Sequence, residues 1–158
     1  MLSRSRSTGS EKGRRAAPTP LDVAARLLAR RPLTTTELEA RLVAMGYQAR
    51  TASGVVARAV ELRWLDDENL AHDRARALRA RGAGPLRIAA DLESRGLPAA
   101  LIEAAVAASR DGRSEGEWAE QALAEAGLVE RLAPARAWRL LVQRGFPEEV
   151  VARLLGVD

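Results

Sequence analysis

Three short motifs combine residue types that also occur in catalytic or ligand-binding sites. Residues 112–116, Gly-Arg-Ser-Glu-Gly, have the G-x-S-x-G spacing that surrounds the nucleophilic serine of many hydrolases. His72 follows three acidic residues at 66–68, a combination that could supply metal ligands. Residues 82–84, Gly-Ala-Gly, could let the backbone approach a phosphate. These segments are the candidates for chemistry that the sequence offers.

Each candidate also has a simpler structural explanation, which we favour. A hydrolase serine needs a preceding strand and a later histidine, whereas His72 is the only histidine and lies before Ser114. The acids at 66–68 come where a helix should begin, and carboxylates there stabilise free N–H groups and the helix dipole. Pro85 follows the glycines and removes an N–H that a phosphate would need. We therefore expect a protein that is not an enzyme, with no catalytic residue, metal ligand, cofactor or small-molecule substrate.

Composition excludes several further classes of protein. The chain of 158 residues contains no cysteine and one histidine, which excludes a disulfide scaffold, a thiolate metal site and most zinc sites. No apolar run reaches the roughly 20 residues that span a bilayer. The N-terminal charges are not followed by the apolar stretch of a secretory signal. These features predict a cytoplasmic protein that does not enter a membrane.

The apolar residues indicate the fold class. Alanine and leucine account for 32 and 22 residues, whereas valine and isoleucine together number 13 and the aromatic residues five. Alanine and leucine favour helices, and β-branched and aromatic residues favour strands. The chain is therefore predicted to be all-α. Its few large side chains are expected to anchor the packing: Tyr47, Trp64, Trp118, Trp138 and Phe146.

An internal repeat is visible when the chain is aligned on Gly46, Gly96 and Gly145, which are 50 and 49 residues apart. Apolar residues lie four positions before each glycine and one, six and ten positions after it. This spacing describes two amphipathic helices, and glycine can adopt the left-handed conformation that ends the first of them. Pro98 and Pro147 are expected at the first position of the following helix. A β-branched residue in place of Gly145 should cost stability, because the left-handed backbone penalises a Cβ.

A further helix precedes each pair, so the pattern predicts nine helices in three triplets. They cover 21–30, 35–45, 50–63, 67–81, 85–95, 98–109, 115–126, 134–144 and 147–155. Units of about 45 residues cannot bury a full core alone and should stack on their neighbours. We predict three tandem three-helix, helix-turn-helix-like repeats stacked into an elongated, curved array. A disordered basic tail at 1–19 precedes repeats at 20–65, 66–110 and 111–158.

The net charge of +4 belongs to the N-terminal tail. The first 20 residues hold five basic residues and one acid, and the rest of the chain has 20 of each sign. Within that body, the acid-free basic segments 74–87 and 131–144 alternate with the acidic segments 61–73 and 111–130. One interpretation is a solvated helix surface with intramolecular salt bridges. The other is a surface that binds a partner of alternating charge, or DNA phosphates.

The second interpretation makes the arginines of the two basic segments the contact residues. They would donate charge-assisted hydrogen bonds to an acidic protein surface or to nearby DNA phosphates. The predicted partner-binding residues are Arg74, Arg76, Arg79, Arg81, Arg87, Arg136, Arg139 and Arg144.

A helix-glycine-helix pair that recurs three times could also be a helix-turn-helix DNA reader. However, second helices such as 98–109 are rich in alanine and lack the Arg, Asn and Gln side chains that read base edges. Stacking of the repeats would also cover some of the same faces. A helix-turn-helix type DNA-binding regulator is therefore the alternative function.

Three segments, in order, resemble the RecX family of RecA regulators, and the similarity extends over residues 21–156. Residues 65–71, Leu-Asp-Asp-Glu-Asn-Leu-Ala, are similar to the opening of the family's second repeat, although Leu70 stands where the family usually has an aromatic residue. Residues 84–97 begin with Gly-Pro-Leu-Arg-Ile and end with Arg-Gly-Leu. Residues 138–146 resemble the family's closing arginine-glycine-phenylalanine signature.

The resemblance implies three tandem three-helix repeats, and it also implies a function. Members of this family bind the RecA nucleoprotein filament, lie along its groove, and inhibit its ATPase and strand exchange or promote its disassembly. The expected partner is thus the filament of RecA on single-stranded DNA, in DNA recombination, repair and the SOS response. Weak direct contact with DNA through the arginines and the tail would accompany it.

Overall fold

In a computed structural model, residues 17–126 and 133–157 are described, and all regular secondary structure in these ranges is α-helical. The helices are α1 (Pro20–Arg30), α2 (Thr35–Ala44), α3 (Ala49–Glu61), α4 (Asp67–Arg79), α5 (Pro85–Ser94), α6 (Ala99–Ser109), α7 (Glu115–Glu125), α8 (Pro134–Arg144) and α9 (Glu148–Leu155). The predicted all-α fold is confirmed. Residues 1–16 of the predicted tail lie outside the described residues, and the repeat boundaries stay predictions.

Local sequence signals explain where the helices begin. Thr19, Thr34 and Ser114 each accept a hydrogen bond from the backbone N–H three residues later, and the acid at that position bonds back to the cap. Asp66 caps α4 by accepting from the backbone N–H of Asn69 at 2.9 Å. Caps of this kind contribute about 1 kcal/mol each. The short helices therefore have well-defined starting points.

The three repeat-defining glycines have the predicted left-handed backbone. The φ angles of Gly46, Gly96 and Gly145 are 97°, 75° and 86°. At each one the chain leaves a helix and turns into the next, a conformation that residues with a Cβ adopt only at a cost.

Two prolines lie one residue earlier than predicted relative to their helices. Pro98 and Pro147 are the N-caps of α6 and α9, with extended ψ angles of 149° and 139°, so the helices begin at Ala99 and Glu148. The fixed φ of proline suits the cap as well as the first turn. The carbonyl of each proline accepts the first hydrogen bonds of the helix that follows.

The helices pack in chain order into three triplets, α1–α3, α4–α6 and α7–α9. Buried apolar residues form two cores. One lies within the first triplet, and the other runs through the second and third triplets without interruption. Repeats two and three therefore share a core, whereas repeat one has its own.

The shared core is built around an aromatic pair. Trp118 and Phe146 are 2% and 1% exposed and meet edge to face, with ring centroids 5.8 Å apart. Trp138 packs at the margin of this core, and Tyr47 packs at the margin of the first. These four residues have the packing role that the composition predicts.

The packing role predicted for Trp64 is wrong, because its side chain is 43% exposed. It lies in the turn between α3 and α4, just after Arg63, which has a left-handed φ of 57°. This turn directs the next residue, Leu65, into the core of repeat one, where it is buried. Trp64 is left at the surface of the joint between repeats one and two.

Both joints between repeats place the N-terminus of one helix on the C-terminal carbonyls of another. At the first joint, the hydroxyls of Thr34 and Thr36 donate to the carbonyls of Arg95 and Gly96 at 2.8 and 3.0 Å. At the second, the N–H groups of Gly84 and Leu86 donate to the carbonyls of Arg144 and Gly145 at 2.6 and 3.0 Å. Helices α2, α5 and α8 thus meet head to tail, an arrangement that the helix dipoles favour.

Charged side chains strengthen the first joint. Arg95 donates to both carboxylate oxygens of Glu37 at 3.1 Å and to the carbonyl of Pro32 at 3.2 Å. Asp67 accepts from the backbone N–H and the hydroxyl of Thr35 at 2.9 and 2.6 Å. Asp67 and Arg95 lie in two of the segments that resemble the RecX family. These two segments therefore connect repeat two to repeat one.

Candidate functional site

The three motifs with catalytic potential have structural roles or lack the groups that chemistry would need. Ser114 caps α7, accepting from the N–H of Glu117 at 3.2 Å and donating to its carboxylate at 2.9 Å. Within residues 17–126 and 133–157, no group of three His, Asp or Glu residues could hold a metal ion, and His72 has no such cluster. Gly84 packs against the carbonyl of Gly145, which leaves no cradle for a phosphate.

No helix within the described residues has the length and hydropathy of a membrane span.

The eight predicted partner-binding arginines fall into an inward-bound and an outward-facing group. The first member of the inward group is Arg74, which forms two parallel hydrogen bonds with Asp91, Nε to Oδ2 at 2.8 Å and Nη2 to Oδ1 at 2.7 Å. The hydrogen bonds from Arg74 outweigh burial and hold the pKa of the Asp91 carboxyl below its ordinary value. Because Arg74 and Asp91 belong to α4 and α5, this pair fastens two helices of repeat two.

Arg79 and Arg144 are also bound inside the molecule, at the second joint. The guanidinium of Arg79 lies over the ring of Trp118, 5.4 Å from its centroid, and donates to the carbonyl of Ser109. Arg144 donates to the carbonyl of Ala122 in α7. Arg79 thus links repeat two to Trp118 of repeat three, whereas the bond of Arg144 joins two helices of repeat three. Intramolecular bonding therefore explains three of the eight arginines.

The other five arginines are exposed. Arg76 is paired with Asp73 one turn away, but both side chains are more than two-thirds exposed, and such pairs contribute little. Arg139 bonds to the carbonyl of Ala135 in its own helix and stays exposed. Arg81, Arg87 and Arg136 are exposed and form no ion pair with the described part of the chain. These five side chains are available to a partner.

Arg87 and Arg136 occupy equivalent positions one repeat apart. Each is the third residue of its helix, after Pro85 in α5 and after Pro134 in α8, and neither helix has an acid in its first turn. A cation at the N-terminus of a helix opposes the helix dipole, at a cost of about 0.3–1 kcal/mol. In repeat one the same position holds Glu37, which completes a capping box. The two arginines therefore weaken their own helices while presenting positive charge at the same position of repeats two and three.

The sequence reasoning missed three residues of the first joint. Arg95 and Asp67 form the contacts with repeat one that are described above, and Trp64 lies beside an open cleft at the same place. The signal for Arg95 was available, because Arg95 and Arg144 both directly precede a repeat-defining glycine. No spacing rule distinguishes Trp64 from a core aromatic residue.

The third helices of the repeats contain few of the side chains that read DNA bases. Helix α6 contains no Arg, Asn or Gln, and its Ile102, Ala105 and Ser109 are buried. Helices α3 and α9 contain no Asn or Gln, and their arginines are Arg50 and Arg58 in α3 and Arg153 in α9. Side chains that read base edges in the major groove are therefore scarce on these helices.

Comparison with known proteins identifies the family. A profile of the RecX second three-helix domain matches residues 66–106. Over 156 residues the chain is 33% identical to the regulatory protein RecX of Stenotrophomonas maltophilia strain K279a, with 92% of this chain and 93% of the relative covered. The chain belongs to the RecX family. The RecX protein of Xanthomonas campestris pv. campestris strain B100 is 35% identical over 144 residues, with 86% of each chain covered.

A solved structure supports the fold of this RecX-family chain. The crystal structure of RecX from Lactobacillus salivarius superposes with a TM-score of 0.67 and covers 87% of this chain and 92% of that one. The sequence identity is 19%, so this similarity concerns the fold alone. RecX proteins are regulatory proteins, and the resemblance inferred from three short segments is confirmed along most of the chain.

Proposed function

We propose that this RecX-family protein regulates RecA by binding in the groove of the filament that RecA forms on single-stranded DNA. It would limit ATP hydrolysis, strand exchange or filament growth in the cytoplasm, during DNA recombination and repair. The observation that carries the proposal is the outward pair Arg87 and Arg136. The two arginines occupy the same position in repeats two and three, an arrangement suited to contacts with successive units of a helical polymer.

Four of the exposed arginines suit this partner because they form no ion pair within the described residues. Arg81, Arg87, Arg136 and Arg139 could donate hydrogen bonds to acidic groups of RecA or to DNA phosphates. Arg74, Arg79 and Arg144 have intramolecular partners and would act indirectly, by holding together the helices of repeats two and three. We therefore propose that the exposed arginines contact the partner. The internally bonded arginines would fix the shape of the surface that carries them.

The test is hydrolysis of ATP by RecA on single-stranded DNA as the protein is added. We expect inhibition that saturates near stoichiometric ratios. Unchanged hydrolysis at those ratios, together with unchanged filament length, contradicts the proposal. A generic duplex-binding regulator would instead show tight, sequence-dependent binding to bare double-stranded DNA, which α6 is poorly equipped to provide.

The double substitution Arg87→Gln and Arg136→Gln tests the contact residues. Loss of two exposed charge contacts of up to about 1 kcal/mol each should weaken inhibition about five- to thirtyfold. The matched control, Arg50→Gln with Arg58→Gln, removes the same charge from α3 of repeat one and should leave inhibition within about twofold. Equal loss in both double variants would show that net charge, and not the position of these arginines, governs binding.

A further inference from the structure

Two clefts lie at equivalent places, one beside each joint between repeats. The first is lined by residues of α1 and α4, including Leu28 and Leu70, and the second by residues of α4 and α7, including Arg79 and Trp118. Leu70 and Trp118 occupy the same register, because each lies four residues after its N-cap and donates its N–H to the carbonyl of that cap. The two clefts are thus equivalent, because each lies between the first helices of two successive repeats.

The two versions differ in how they are filled. In the second cleft the indole of Trp118 occupies the space, packed against Phe146 and under the guanidinium of Arg79. The corresponding residues of repeat two are both leucines, Leu70 and Leu97. The first cleft has a volume of about 600 Å³, against about 270 Å³ for the second. At the position of Trp118, the first cleft therefore has the smaller, non-aromatic side chain of Leu70.

Trp64 forms one wall of the first cleft, and the fold of the repeat does not depend on an aromatic residue at this position. The equivalent residue of the second joint, two positions before the N-cap, is Gly112. Trp64 is a large, partly exposed aromatic side chain beside a concave apolar surface that also contains Leu28, Leu33 and Leu70. Such surfaces commonly bind an aromatic or aliphatic anchor residue of a partner protein.

The charges at the rim define the partner further. Three charged lining residues are already paired: Asp73 with Arg76, Arg74 with Asp91, and Arg95 with Glu37. Asp66 is used to cap α4. Arg31 is exposed and forms no ion pair with residues 17–126 or 133–157. Of the charged residues that line the cleft, Arg31 is therefore the basic one and Asp66 the acidic one that form no ion pair within the described residues.

We propose that the cleft between repeats one and two binds an aromatic side chain of the RecA filament that lies next to a carboxylate. The ring occupies the place that Trp118 fills in the second cleft and packs against Trp64, and the carboxylate pairs with Arg31. The identity of the partner rests on the proposed function. The chemistry of the occupant rests on the equivalence of the two clefts.

The probe for the cleft itself is N-acetyl-tryptophan, which combines an aromatic ring with a carboxylate. In protein labelled with 5-fluorotryptophan, the ¹⁹F resonance of Trp64 is assigned with the variant Trp64→Phe. We expect saturable shifts of this resonance, about threefold weaker binding of the neutral N-acetyl-tryptophanamide, and loss of that difference in Arg31→Gln. No shift, or shifts equal for both probes, would overturn the proposal.

The variant Leu70→Trp places in the first cleft the residue that fills the second. It should remove the response to N-acetyl-tryptophan and weaken binding to the RecA filament about tenfold or more, as loss of an anchor contact does. The matched control Met45→Trp adds the same side chain at an exposed position outside the cleft and should change neither. Thermal denaturation checks that both variants fold.

The two proposals fail in different ways. If the unmodified protein does not inhibit RecA, the proposed function is wrong, while the response to N-acetyl-tryptophan still decides what the cleft binds. If it inhibits RecA and Leu70→Trp inhibits equally well, the assignment of the cleft is wrong and the proposed function stands. A shift of Trp64 caused by oligothymidylate but not by N-acetyl-tryptophan would replace the aromatic side chain by a stacked base.

Discussion

Gly145 and Gly46 occupy the same position in their repeats but have different surroundings. Both have left-handed backbones, with φ angles of 86° and 97°. A Cβ on Gly145 would lie 2.5 Å from the backbone N and 2.6 Å from the Cβ of Arg87, whereas a Cβ on Gly46 would meet nothing within 4 Å. The need for glycine is therefore conformational at Gly46, and both conformational and steric at Gly145.

This difference gives a prediction at the scale of the residue. Gly46→Ala should reduce the free energy of unfolding by about 1–2 kcal/mol, the cost of a left-handed residue with a Cβ. Gly145→Ala should cost at least about 2 kcal/mol more, because α5 and α8 must separate to relieve the contact with Arg87. Urea denaturation of the two variants measures the difference. Equal losses would mean that the close approach of the two backbones relaxes freely.

At the scale of the element, the two joints use the same head-to-tail arrangement of helices but different chemistry. The second joint has direct backbone hydrogen bonds and a shared apolar core with Trp118 and Phe146. The first uses threonine hydroxyls and the pair Arg95–Glu37, whose side chains are 16% and 20% exposed. Stability of the first joint therefore depends on ionised groups.

The pH dependence of stability follows from this chemistry. Burial raises the pKa of the Glu37 carboxyl, but hydrogen bonds from Arg95 and the N–H of Thr34 outweigh it and hold the pKa below its ordinary value of 4.5. A carboxyl whose pKa is lowered by folding stabilises the protein above pH 4.5 and loses this contribution as the pH falls through its folded value. Glu37→Gln should therefore destabilise the protein by about 1–2 kcal/mol at pH 7 and progressively less below pH 4.5.

Urea denaturation between pH 7 and pH 3 measures this effect. Glu61→Gln is the control, because Glu61 pairs with Arg58 on the exposed surface of α3 and should contribute under about 0.5 kcal/mol. Hydrogen exchange should also show that Glu37→Gln releases repeat one before repeats two and three, which have their own continuous core. A loss that does not vary with pH would show that Glu37 acts by packing alone.

At the scale of the whole molecule, the excess positive charge and the exposed arginines of the helical repeats lie in different parts of the chain. The excess of four positive charges lies in the first 20 residues, and the remaining chain is neutral. Within that neutral part, three of the eight arginines considered are bound internally, and Arg76, Arg81, Arg87, Arg136 and Arg139 are exposed. Specific binding should therefore depend on the arrangement of the exposed arginines, and the tail should add attraction that varies with salt.

The contribution of the tail is measured by deleting residues 1–18, which leaves the N-cap Thr19 in place. Affinity for the RecA filament should fall at low salt, and its dependence on salt concentration should become shallower, because up to five cationic contacts with phosphates are lost. A tail of the same length with Ser at its five basic positions should behave like the deletion. An unchanged salt dependence would exclude a contact between the tail and DNA.

Much of the architecture was predictable because it depends on short-range rules. Helix type and limits follow from alanine and leucine content, from caps such as Thr34 and Ser114, and from the glycines that end helices. The assignment of arginines was less predictable, because Arg74 and Arg87 look alike in a basic segment. Within the described residues, Arg74 forms an ion pair with Asp91, 17 residues further along the chain, and Arg87 forms none.

The amino-acid sequence by itself determined the helical class, the threefold repeat and the resemblance to RecX, since these follow from neighbours within a few residues and from periodic spacing. The tertiary structure decided which side chains remain available. It buried Trp118 and left Trp64 exposed, and it divided the arginines between internal bonds and the surface. The physical reason is that burial and pairing depend on which repeats meet, and that contact joins residues as much as 63 positions apart, as Pro32 and Arg95 are.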